Sequence, residues 1–216
     1  MTSTNMTSKL FRTLLLSCLL PLIVACGSSS TSNTLPALDS DAVILAFGDS
    51  ITYGTGARPD QSYPAQLSNL IGRKVINAGV PGETSGGGLA RLPKVFSTAS
   101  PDLVLLCLGG NDFLKRQDRQ LTRKNLHAMI SWIQLQDVPV ILLAVPELSF
   151  GFSGTLKPAG IYRELAADLK LPLIENALTE VLSDRSLKAD PIHPNAQGYR
   201  QLAEAIADYL TIATGR

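Results

Sequence analysis

From Asp41 onward, short apolar runs alternate with amphipathic stretches, and this alternation constrains the chain more than any other feature. Ala42 to Phe47 is a brief apolar run and reads as a first strand. Tyr63 to Ile71 reads as a helix, with Leu67, Leu70 and Ile71 on one face. Lys74 to Ala78 is a shorter second strand, and Leu89 to Phe96 is helical despite Pro93. Leu103 to Leu108 is continuously apolar, the signature of a strand buried on both faces. Leu126, Met129, Ile130 and Ile133 mark the next helix by their spacing. Val138 to Val145 is a fourth strand, Tyr162 to Leu169 a helix, Leu171 to Ile174 a fifth strand and Ala196 to Leu210 a closing helix. Strands that alternate with helices imply an α/β fold, a parallel sheet with helices on both faces. No internal repeat or second domain is visible, and 216 residues suffice for one domain with a sizeable core.

In such sheets ligands bind beyond the carboxyl ends of the strands. Three polar, glycine-bearing turns fall at that edge. Ser50 follows strand one, Gly79-Val80-Pro81-Gly82-Glu83-Thr84 follows strand two, and Gly109-Gly110-Asn111-Asp112 follows strand three. Asp190 and His193 precede the last helix, between Pro191 and Pro194, where a loop can bring them to the same edge.

The N-terminus has the form of a targeting segment. Lys9 and Arg12 form a positive region ahead of an apolar stretch, Leu14 to Val24, that is short for a membrane span. It ends Leu22-Ile23-Val24-Ala25-Cys26-Gly27, which resembles the lipobox of bacterial lipoproteins. That resemblance implies cleavage after Ala25 and lipidation of Cys26; a plain signal peptide or an uncleaved anchor are the other readings. Lipidation accords with the Ser-rich stretch that follows, a flexible polar tether. The expected organisation is a leader over 1–25, a tether over 26–41 and one domain over 42–216. Hydrophobic residues make up 45% and charged residues 17% of the chain, which is ordinary for a globular protein and argues against disorder. A formal net charge of +1 gives no reason to propose nucleic acid as a partner. With Cys18 and Cys26 in the leader region, Cys107 stands alone in an apolar run and reads as a small buried hydrophobe.

A serine hydroxyl is a poor nucleophile until a base takes its proton, and that base needs an acid to fix its tautomer. Ser50, His193 and Asp190 form such a set. The other histidine, His127, lies on a polar helix face with Arg123, Lys124, Ser131 and Gln134 and reads as solvated surface. Acyl transfer also needs donors for the developing oxyanion. The Ser50 and Gly82 amides and the Asn111 side chain can supply them. Taken singly, Ser50 reads better as a helix cap and each glycine as plain turn chemistry; the downstream partners and their order reverse that reading.

That order resembles the SGNH (GDSL-type) hydrolases. Gly48-Asp49-Ser50-Ile51 matches the first motif, with Ile51 where leucine is usual. Gly82, Asn111 and the Asp190/His193 pair match the glycine, asparagine and D-x-x-H blocks. Gly82-Glu83-Thr84-Ser85 and Gly88-Leu89-Ala90-Arg91-Leu92-Pro93 are similar to the thioesterase/lysophospholipase/arylesterase branch. The resemblance implies a flavodoxin-like three-layer α/β/α sandwich with a five-stranded parallel sheet, and no metal or organic cofactor. It implies Ser50, Asp190 and His193 as catalytic residues, and Ser50, Gly82 and Asn111 as the oxyanion hole. The expected activity is hydrolysis of carboxylic esters or thioesters such as lysophospholipids, aryl esters or short-chain acyl esters. The alternatives are a carbohydrate O-deacetylase of the cell envelope and, outside enzymes, a lipid-binding lipoprotein on an inactive hydrolase scaffold. The expected setting is a monomer anchored through Cys26, facing the periplasm, with the outer membrane favoured. The segment from Pro146 to Pro158 carries no readable pattern.

Overall fold

The computed structural model describes residues 35–147 and 156–213. The leader, Cys26 and most of the tether lie outside the described residues, as does the middle of the Pro146 to Pro158 segment.

Five parallel strands form one sheet: β1 (Val43–Gly48), β2 (Lys74–Gly79), β3 (Leu103–Cys107), β4 (Val140–Leu143) and β5 (Leu173–Ile174). Their order is β2-β1-β3-β4-β5, the flavodoxin-like doubly wound arrangement. Every residue of β3 and β4 is buried, as continuous apolar runs require of strands covered on both faces. β4 and β5 are shorter than their apolar runs. Pro139 and Pro172 stand at their entrances, where they accept ladder hydrogen bonds but have no N–H to donate.

Among the described residues there are eight α-helices. They are α1 (Ser50–Tyr53), α2 (Tyr63–Ile71), α3 (Ser85–Ala99), α4 (Gly110–Leu114), α5 (Arg119–Gln134), α6 (Gly160–Leu169), α7 (Ala177–Ser183) and α8 (Ala196–Ala213). α2 packs on α8, which also meets α7, while α3 packs on α5 and α5 on α6. These two helix groups are the outer layers of the sandwich. α3 starts a full turn before Leu89. Thr84 caps it by accepting from the Gly87 N–H, and its glycine-rich first turn has no apolar periodicity to read.

The packed domain also begins earlier than Ala42. Leu35 and Leu38, three residues apart, are both buried in the core. The Leu35 N–H donates to the Ala213 carbonyl at 3.0 Å. The Arg73 guanidinium donates to the carbonyls of Leu38 and Asp39 at 2.9 and 2.8 Å. Residues 35–41, expected as the end of a tether, are therefore held at the foot of α8.

The register of the sheet sets up the site. Gly48, the last residue of β1, pairs with Gly79 of β2 and with Cys107 of β3. Three strands end level, so the turns carrying Ser50, Gly82 and Asn111 emerge side by side. Gly48 has no room for a side chain, since a Cβ there would lie 2.1 Å from Thr52 Oγ1 and 2.5 Å from the Cys107 carbonyl.

Candidate active site

Ser50 opens α1. Its neighbour Asp49 caps that helix, accepting from the Ile51 N–H at 3.0 Å. As the first residue of a helix, Ser50 has an N–H with no intrahelical partner. The base arrives from the loop before α8. Asp190 Oδ1 accepts from the N–H groups of Ile192 and His193 at 2.8 and 2.9 Å, an Asx turn that locks the loop. Asp190 Oδ2 lies 2.7 Å from His193 Nδ1, and His193 Nε2 lies 2.9 Å from Ser50 Oγ. A carboxylate only accepts, so Nδ1 carries the imidazole proton and Nε2 is free to accept from the serine. Partial burial opposes ionisation of Asp190. The bonds from the Ile192 N–H and the His193 ring outweigh it and hold the carboxyl below the usual range.

Gly82 is the third residue of a β-turn in which the Glu83 N–H donates to the Val80 carbonyl at 3.2 Å. Pro81 precedes it and its φ is +77°, the left-handed backbone that such a Pro-Gly turn requires. No bond from the Gly82 N–H is made among the described residues. Asn111 lies at the start of α4. Its Nδ2 donates to Asp49 Oδ2 at 3.2 Å and to the Glu83 carbonyl at 3.0 Å. The structure thus brings Ser50, Asp190, His193, Gly82 and Asn111 to one sheet edge. The cleft beside Ser50 is small, about 20 Å³, with an apolar wall of Ile51, Leu114, Val145, Leu182 and Ile192. A larger cavity of about 430 Å³ lies elsewhere, between Leu38, the end of α2 and α8, and no nucleophile–base pair lines it.

His127 is half-buried on α5, with Nδ1 3.3 Å from Ser131 Oγ and no part in this edge. Cys107 is free and fully buried, and burial pushes its thiol well above the usual range. Among the described residues, no three His, Cys, Asp or Glu side chains gather as a metal centre would need.

The GDSL-like lipase/acylhydrolase family model matches residues 46–201, which spans every element of the site. The chain belongs to that family. This acylhydrolase is 30% identical over 171 residues to thioesterase 1/protease 1/lysophospholipase L1 of Escherichia coli K12, covering 77% of this chain and 82% of that protein. It is 31% identical over 176 residues to an arylesterase of Vibrio mimicus, covering 77% and 87% of the two chains. Its fold matches a crystal structure of TesA with a TM-score of 0.71 at 29% identity, over 79% of this chain and 99% of that one.

Three features of the acylhydrolase site escape sequence reasoning. Asp49 is a fully buried carboxyl, and burial pushes its pKa up to about 7 against the bonds from Ile51 and Asn111. Asp112, fully buried, accepts from the Ser85 N–H and hydroxyl at 2.8 and 2.5 Å, tying the start of α3 to α4. Glu83 pairs with Arg91. Glu83 lies in the turn before α3 and Arg91 within the helix, so no periodicity in the sequence signals their pairing.

Proposed function

We propose that this acylhydrolase is a serine esterase that cleaves carboxylic esters or thioesters through an acyl-enzyme on Ser50. The unbroken relay from Asp190 through His193 to Ser50 carries the reading. Ser50 Oγ attacks the carbonyl carbon as His193 Nε2 takes its proton, and the carbonyl electron pair moves to oxygen. The Ser50 and Gly82 amides and Asn111 Nδ2 receive that oxyanion. Asn111 does so by exchanging its longer bond, the one to Asp49. Collapse expels the leaving group, which takes the proton from His193. Water then attacks the acyl carbon with His193 again as base; the acyl–Oγ bond breaks, Ser50 Oγ takes the proton back from His193, and the acid departs. Asp190 stabilises the imidazolium in both halves.

The substrates we assign are lysophospholipids, aryl esters and short-chain acyl esters, taken by a monomer. The names of the thioesterase/lysophospholipase and arylesterase relatives support that range, as does the apolar wall of the cleft. The test is hydrolysis of a p-nitrophenyl ester series, lysophosphatidylcholine and acyl-CoA, with labelling by a fluorophosphonate. The expected result is turnover and labelling that are both lost in Ser50→Ala. Full turnover in folded Ser50→Ala would overturn the proposal.

We also propose that Cys26 is lipidated after cleavage at Ala25 and holds the enzyme in the cell envelope, facing the periplasm on the outer membrane. The support is the Val24-Ala25-Cys26 ending and the polar residues behind it. Membrane fractionation with mass spectrometry of Cys26 tests it. Detergent-dependent release is expected, and unmodified Cys26 in fully soluble protein would refute it.

A further inference from the structure

We propose that Arg91 is a positioning residue for the reaction: its guanidinium ties the ends of β1 and β2 to Glu83 of the Gly82 turn, and Glu83 in turn holds Asn111, so that the three oxyanion donors stand as one unit. The proposal rests on the assignment of Ser50, Gly82 and Asn111 as those donors. Arg91 stands on α3 with its side chain mostly buried. Its Nε donates to Glu83 Oε1 and Oε2 at 2.7 and 2.8 Å, and its Nη2 to Glu83 Oε2 at 2.5 Å. The same Nη2 donates to the carbonyls of Gly48 at 3.1 Å and Ala78 at 2.9 Å. The guanidinium carbon lies 4.0 Å above the centre of the Phe47 ring, which fixes the plane of the fork.

Each of these contacts leads to a donor. Gly48 is two residues before Ser50. Ala78 is in β2, which feeds the Gly82 turn. Glu83 directly follows Gly82, and its own carbonyl receives Asn111 Nδ2. No donor is therefore more than two residues or one hydrogen bond from a group that Arg91 holds. Lys115 Nζ adds a looser restraint at the surface, donating to the Gly82 carbonyl at 3.0 Å.

A buried ion pair is weak evidence for a stabilising role, because desolvation offsets most of the attraction. A planar fork that spans a carboxylate and two strand-end carbonyls is strong evidence for a geometric one. Arginine has the donors for this and lysine does not. Oxyanion donors act only when preorganised, and a misplacement of about 1 Å costs on the order of 100-fold in rate.

The test compares Arg91→Met, Arg91→Lys and Glu83→Gln with wild type on p-nitrophenyl acetate, alone and combined with Asn111→Ala. Arg91→Met keeps an apolar stem over Phe47. Should the unpaired Glu83 unfold it, the pair Arg91→Met/Glu83→Gln removes both charges and serves in its place. Circular dichroism and Tm establish folding, and Ser50→Ala is run alongside. The expected result is a kcat lowered roughly 10- to 100-fold, the range for misplaced donors, with a much smaller change in KM. Arg91→Lys should recover little of it. The loss in Arg91→Met combined with Asn111→Ala should fall well short of the product of the single losses, because both act on the same hole. Unchanged kcat with a lowered Tm would overturn the proposal, as would fully multiplicative losses. Full activity in Ser50→Ala would bring down the site assignment and the proposal with it. Loss in Ser50→Ala with multiplicative effects would bring down the proposal alone.

Discussion

Replacing Asp190 by asparagine tests the relay without removing a single backbone contact. Oδ1 of Asp190 accepts from two N–H groups, those of Ile192 and His193. In Asp190→Asn those two donors hold the amide oxygen and forbid a flip. The NH₂ group must then take the place of Oδ2, 2.7 Å from His193 Nδ1. Two donors cannot face each other, so Nδ1 loses its proton and Nε2 gains one. Nε2, 2.9 Å from Ser50 Oγ, then has no lone pair to receive the serine proton. Loss of the correct tautomer costs about 10³- to 10⁴-fold in kcat. At about 1.36 kcal/mol per decade, that is roughly 4–5.5 kcal/mol of barrier. KM should move little, since Asp190 does not line the cleft. The assay is kcat and KM on p-nitrophenyl acetate, with circular dichroism to show an intact fold. Asp190→Ala, which frees the imidazole to choose its tautomer, should be no worse. A folded Asp190→Asn within tenfold of wild-type kcat would refute the tautomer argument.

His193→Ala should abolish turnover while His127→Ala stays near wild type, and equal losses in parallel assays would refute the choice of base. Asn111→Ala should lower kcat roughly 10²- to 10³-fold, the usual effect of removing one oxyanion donor; a change confined to KM would assign Asn111 to substrate binding alone. Asp49 predicts a pH dependence of stability. Burial raises its pKa in the folded protein from 3.8 to about 7, so the folded state keeps a proton that the unfolded chain sheds. Its contribution is fully present below about pH 4 and is lost as pH rises to about 7, by up to roughly 4 kcal/mol over some three units. Asp49→Asn keeps an oxygen to cap α1, and its Tm should gain on that of wild type across this window. A Tm difference that is constant with pH would contradict the assignment.

Most of the fold is legible in the sequence because parallel strands buried on both faces must be written as apolar runs. Leu103 to Leu108 is the plainest, and Leu126, Met129, Ile130 and Ile133 mark α5 as plainly, all four being buried. The short helices are not legible. α1 and α4 have four and five residues and arise from caps and glycine turns, not from periodicity. α7 has seven residues, and its apolar spacing is too brief to stand apart from a loop. At the site, the residues that bring chemistry advertise themselves by type and order. The residues that hold them do not. Arg91 looks like any charged residue on an amphipathic helix until the fold bends the Gly82 turn back against it. Asp49 looks like a cap, and only burial between three strand ends makes it a carboxyl with a perturbed pKa.

The bond from Leu35 to Ala213 has a directional consequence. α8 begins just after His193 and ends at Ala213, and its 18 residues span about 27 Å. The described chain therefore starts beside the end of α8 opposite to the one that His193 precedes. From Cys26 to Thr34 there are nine residues, which extend at most about 32 Å. A lipid on Cys26 would therefore pull on the domain at the foot of α8, a full helix length of about 27 Å from the loop that carries His193.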